Sequence, residues 1–125
     1  MRTDLLWLVA LSCLLTHEMD AIRLREWKIF PILSGMSDQH GYALFTAIHV
    51  PLYVLVLGGL LASSATLQQR VVIGLDLFCM VHVGLHLIFR NHQHNHFHSP
   101  FSWALILGAG IAGALDLLLV RQIAI

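Results

Sequence analysis

Four stretches of this chain are apolar over lengths that leave only one secondary structure open to them. They run from Leu5 to Ile22, Tyr42 to Ala62, Val71 to Phe89 and Phe101 to Val120. A hydrocarbon core of roughly 30 Å needs about 20 apolar residues to cross it as a helix. An open strand is excluded, because lipid offers no partner for its free N–H and C=O groups. The expected fold is therefore all-α: a four-helix transmembrane bundle, with residues 1–125 forming one domain. Composition agrees, at 58% hydrophobic and 11% charged with zero formal net charge, where soluble domains carry about 25% charged residues. The chain has no basic excess to attract nucleic acid, so the lipid bilayer is the expected partner. Cys13 and Cys79 both fall inside apolar stretches, where thiols act as small hydrophobes. The first stretch has no small-x-small cleavage site before His17 and is expected to be retained as a helix.

The connections divide the two membrane faces. Arg23, Arg25 and Lys28 flank Trp27 ahead of Pro31, a basic and aromatic run suited to the headgroup level. Ser63 to Arg70 forms a short polar turn on the opposite side, and Asn91 to Pro100 forms a histidine-rich loop. Arg23, Arg25, Lys28 and Arg90 lie on the histidine side, against Arg2, Arg70 and Arg121 on the other. The positive-inside rule then favours a cytoplasmic histidine face.

Nine histidines stand in this apolar background. Helices that alternate direction bring together the end of the first, the start of the second, the end of the third and the start of the fourth. That one face collects His17, Glu18, Asp20, His40, His49, His82, His86 and the loop residues His92, His94, His96 and His98; the other face has no histidine. At 1.5 Å per residue, His49 and His82 lie roughly 10 Å inside their helices. Ionisable groups at such depth pair, line a cavity or do chemistry.

Spacing narrows the chemistry. His82 and His86 are four residues apart on one helical stripe, as two imidazoles sharing a metal require. His17 and Asp20 share a face, so Asp20 is a candidate ligand or the acceptor that orients His17. The loop histidines alternate: an extended chain sends all four to one side, whereas a helical turn groups His92 with His96 and His94 with His98. The candidate metal ligands are therefore His17, Asp20, His49, His82, His86, His92, His94, His96 and His98, with Glu18 and Asp20 as candidate general bases. Each has a plainer reading: a hydrogen-bonded intramembrane histidine, a solvated loop, or carboxylates paired with Arg23 and Arg25.

Three functions compete. A metal-dependent membrane enzyme, with iron or zinc as oxidant or hydrolytic centre, needs only three protein ligands and an open position in its simplest form. A metal transporter or metal-handling protein would use the loop as an intake. A haem-bearing electron carrier would clamp iron between two histidines, leaving the loop histidines unused. The one-sided polar site favours the enzyme, and its depth favours a lipid-soluble small molecule as substrate. Gly108 to Gly113 spells a dinucleotide fingerprint but sits within an apolar helix with no preceding strand. Its small residues instead pair as Ala109 with Gly113 and Gly110 with Ala114, a stripe for close helix approach. A homo-oligomer or a larger membrane complex is the expectation drawn from that stripe. Asp76 and Asp116 lie toward the far ends of their helices, within reach of Arg70 or Arg121.

His17-Glu18-Met19-Asp20-Ala21, with Trp27 soon after, resembles the helix-end motif of HXXEE-type small bacterial integral membrane proteins. The likeness covers about the first third of the chain. It departs at Ala21, where that pattern has a second acidic residue. It implies a shared histidine and carboxylate site, matched further on by His49 and the His82/His86 pair, and a bacterial inner membrane as location.

Overall fold

The computed structural model describes residues 5–120, all of whose regular structure is helical. Arg2 and Arg121, which enter the orientation argument, lie outside the described residues. The helices are α1 (Leu5–Arg23), a short α2 (Pro31–Ser34), α3 (Asp38–Leu60), α4 (Ala65–Ile88) and α5 (Pro100–Leu115). A single 3-10 turn, Glu26–Lys28, precedes α2, and α5 runs on as a π-helical turn over Asp116–Val120. Four helices, counting α5 with its extension, are long and apolar enough to cross a membrane.

Capping explains why α3 and α4 start before their apolar runs. Ser37 accepts a hydrogen bond from the His40 N–H at 3.3 Å, and Ser64 accepts from Leu67 N–H at 3.3 Å. Ser99 does the same for Ser102 at 3.0 Å, with Pro100 at the first helical position, where a missing N–H costs nothing. The end of α1 is less ordinary. Arg25 adopts φ 57° and ψ 46°, a left-handed conformation. A non-glycine residue pays about 1 kcal/mol or more for it. That reversal folds the chain back under α1 and turns Glu26 inward, with Trp27 following.

The four long helices pack around two apolar clusters. Leu11 and Leu14 of α1 meet Leu75 and Cys79 of α4 and Ala109 and Ala112 of α5 in the first. Trp27, Phe45, Phe97 and Ile106 gather in the second, at the histidine end. Between α4 and α5 the approach is close. A Cβ on Gly113 would lie 3.0 Å from the Asp76 carbonyl oxygen, and one on Gly110 would strike Val83. The small-residue stripe is thus used inside the chain, where van der Waals packing holds helices that gain little hydrophobic drive from lipid. Asp76 and Asp116 are both fully buried. By contrast, α3 buries only Gly41 and Phe45, and its Leu55 is 73% exposed.

Candidate metal centre

One turn of α4 separates His82 from His86, so both rings leave the helix on the same stripe. α1 runs alongside and brings His17 to them. The His86 Nε2 lies 3.1 Å from the His82 Nε2 and 3.2 Å from the His17 Nε2. The reversal at Arg25 supplies a carboxylate: Glu26 Oε1 is 3.5 Å from the His86 Nε2, and Oε2 is 4.0 Å from the His17 Nε2. One ligand atom from each of His17, Glu26, His82 and His86 falls within 4.8 Å of all the others. All four side chains are buried or nearly so.

Proton counting shows what is unusual here. A neutral imidazole has one N–H and one lone pair, on different nitrogens. His86 Nε2 meets two other ring nitrogens, yet it can donate one proton or accept one, not both. One of the two contacts is therefore poorly satisfied unless a cation stands among the nitrogens. A tetrahedral ion bonded to nitrogen at 2.0–2.1 Å sets its ligand atoms about 3.3 Å apart. The observed spacings of 3.1 and 3.2 Å fit that edge, and the carboxylate oxygen at 3.5 Å is close to it. The donor set suits such an ion once the wider spacings, 4.0 Å between His17 Nε2 and Glu26 Oε2 among them, draw in.

Aromatic side chains cover one side of the group. Phe97, 1% exposed, stacks its ring 5.2 Å from His17 and 4.7 Å from His86. It reaches them because Asn95 braces the loop, donating to the Arg90 carbonyl at 2.9 Å and accepting from Phe97 N–H at 2.9 Å. Trp103 Nε1 closes the arrangement by donating to the Phe97 carbonyl at 2.9 Å. Burial, helped by the nearby Glu18 carboxylate, pushes the Glu26 carboxyl up from 4.5 to about 8.

A second polar pair stands beside the centre. Glu18 Oε2 lies 2.9 Å from the His49 Nε2, and the His49 Nδ1 donates to the Phe45 carbonyl at 2.7 Å. A carbonyl only accepts, so Nδ1 carries a hydrogen, and the Glu18 contact holds a single proton between oxygen and nitrogen. A cavity of about 360 Å³ is lined by both Glu18 and His49 and by Glu26, His82 and His86 of the group.

The remaining candidates are placed elsewhere. Asp20 is not in the group: its Oδ1 accepts from Arg23 at 2.7 and 3.0 Å, and its Oδ2 accepts from Ser102 at 2.5 Å. It ties α1 to α5, and the His17 Nδ1, which it was expected to orient, has no hydrogen-bond partner among the described residues. His92, His94, His96 and His98 also stand outside the group. The loop does alternate, but its inward side is Asn95 and Phe97, while His96 and His98 face out and the half-buried His92 and His94 stack on each other at 5.7 Å. His40 serves the α3 cap, its Nδ1 3.1 Å from Ser37 Oγ. Glu26 was missed by sequence reasoning. Its one signal was a lone carboxylate in a basic and aromatic run just past a histidine-bearing helix end.

Fold and centre together define a small helical protein of the multi-pass membrane kind, with three histidines and a glutamate grouped near one end of its spans. The chain belongs to a family of unknown function, DUF6713, whose profile matches residues 3–123. No curated protein and no solved structure matches it.

Proposed function

We propose that this chain is an integral membrane protein that holds one transition-metal ion, iron or zinc, between His17, Glu26, His82 and His86, and that it is a metal-dependent enzyme acting on a lipid-soluble substrate. The observation that carries the reading is the meeting of two other ring nitrogens at the His86 Nε2, at 3.1 and 3.2 Å, with a carboxylate beside them. Nitrogen and oxygen donors without thiolate suit iron and zinc alike. An ion there would supply Lewis acidity and a more acidic bound water. The chain's own residues do the rest. His17, His82 and His86 are held by packed helices, Phe97 excludes water, and Glu18 with His49 keeps one mobile proton across the shared cavity from the ligands. Glu18 is then the general base, since both oxygens of Asp20 are engaged.

Haem fits less well. Two nitrogens on opposite sides of one metal stand roughly 4 Å apart, farther than the 3.1 and 3.2 Å seen here. The HXXEE-like segment supports a bacterial inner membrane as the location. The little-buried α3 supports a homo-oligomer or a larger membrane complex, since its outward face is free for a neighbour. The test is elemental analysis and visible absorption of the purified protein. Stoichiometric zinc or iron without a Soret band supports the reading; a Soret band, or no bound metal after growth with both metals, overturns it.

A further inference from the structure

The larger of the two cavities that meet Glu18 and His49, about 400 Å³, lies between α1, α3 and α4 and has no part in the ligand group. Its walls include Leu11 and Leu14 of α1, Val56 and Leu57 of α3, and Val71 and Leu75 of α4. Polar side chains reach it only from Glu18, His49 and Tyr53, and Glu18 and His49 stand toward the histidine end. From Glu18 back to Leu11 is about 10 Å along α1, and from His49 to Leu57 about 12 Å along α3. Backbone spans at most about 3.5 Å per three bonds when extended, so this length takes an extended hydrocarbon chain of about eight to ten carbons. Glu18, His49, Leu52 and Phe78 line both this cavity and the one at the ligand group, so the two are neighbours that meet at these side chains.

We propose that the larger cavity is the tail site for a single-chain amphiphile with an uncharged oxygen head, a long-chain alcohol, whose head lies between the Glu18–His49 pair and the His82/His86/Glu26 side of the smaller cavity. This rests on the proposed function and adds the substrate class to it. The head is uncharged because neither cavity is lined by any Arg or Lys. A phosphate or carboxylate head would find no side-chain counter-charge there, the ion's charge being already opposed by Glu26, and would meet Glu18. A cationic head would face the metal ion. A hydroxyl can accept or donate toward the one-proton Glu18–His49 contact, at the only polar point between the two cavities.

Gly74 provides the test. It lines the tail cavity, and a Cβ added there meets nothing within 4 Å. Gly74→Leu therefore puts its side chain into the cavity without prying helices apart, and leucine is the better helix former. The site lies about 12 Å along α4 from His82. The probe is a long-chain primary alcohol with a diazirine at its tail end, photolysed with the full chain in mild detergent and mapped by peptide mass. Label is expected on the peptides bearing Leu57 and Val71, displaced by the unlabelled alcohol but not by the matching carboxylate. Gly74→Leu, and Leu57→Phe from the opposite wall, should lose that label while keeping the wild-type metal content. Label spread over outward helix faces and indifferent to both variants overturns the tail site. Equal displacement by the carboxylate overturns the uncharged head. A wild type without metal but with the same label and the same loss in both variants refutes the metal reading and leaves the tail site standing, so the two failures are told apart.

Discussion

In the proposed centre, Glu26 makes metal binding depend on pH in a way that can be worked out before it is measured. Its carboxyl is held at about 8 by burial and by Glu18, well above the ordinary 4.5. The metal-free centre therefore keeps Glu26 protonated at neutral pH, and a cation must displace that proton to use the carboxylate. At pH 7 about a tenth of the chains have Glu26 ionised, and at pH 9 about nine-tenths, from the titration midpoint of about 8. Affinity should then rise about tenfold over that interval. At pH 7 close to one proton should leave per ion bound. Imidazoles at their ordinary value of about 6.5 are already mostly neutral at pH 7, so they add less to the slope than Glu26 does. Glu26→Gln should bind more weakly and lose the slope, since an amide has no proton to shed. The linkage also runs through stability. The folded value lies above the unfolded one, so the stabilisation present below about 4.5 is lost as pH rises toward about 8 in the metal-free protein, and metal restores it. Competition against a chromophoric chelator across pH 7 to 9 measures the first effect. A wild-type affinity that stays flat, or a Glu26→Gln variant that keeps the wild-type slope, would refute the reasoning.

Three further outcomes follow from packing and hydrogen bonding. Gly113→Leu should part α4 from α5 at Asp76, where a Cβ already comes within 3.0 Å of backbone. It should cost at least the 1–3 kcal/mol typical of overpacking, read as a lower unfolding temperature in detergent, and an unchanged temperature would show that the two helices do not touch there. Gly41→Ala should expel Trp27, whose Cδ1 would stand 2.6 Å from the new Cβ. The loss of about 1–3 kcal/mol should come with red-shifted tryptophan emission, and wild-type emission would contradict the packing. Ser102→Ala removes the buried donor to Asp20 Oδ2 and should destabilise by about 1–3 kcal/mol, while leaving metal content unchanged. A loss of metal in that variant would instead tie Asp20 to the centre.

The spans and the convergence of histidines were legible in the sequence because both follow from strong constraints. Apolar length in lipid admits only helix, and alternating spans force the ends bearing His17, His49, His82 and His86 onto one face. The fourth member of the group was not legible. Glu26 enters through a left-handed Arg25, and arginine carries none of the sequence signal that glycine or asparagine gives for that conformation. The loop was half legible. Its alternation is real, but which side turns inward depends on the Asn95 amide satisfying the Arg90 carbonyl and on a tertiary slot for Phe97. Asp20 has the right spacing to face His17, yet Ser102, 82 residues away in sequence, takes its free oxygen. The small-residue stripe of α5 announced a close helix neighbour, and Gly110 and Gly113 against α4 show that the neighbour belongs to the same chain.

The central claim is that the buried group, not the histidine-rich loop, holds the metal. Metal content per chain, measured by elemental analysis of three purified proteins, tests it most directly. The proteins are the wild type, a His82→Ala/His86→Ala variant, and a variant with His92, His94, His96 and His98 all replaced by Ala. The expected result is a stoichiometric ion in the wild type and in the loop variant, and none in the His82/His86 variant. Stoichiometric metal in the His82/His86 variant together with its loss from the loop variant would contradict the account.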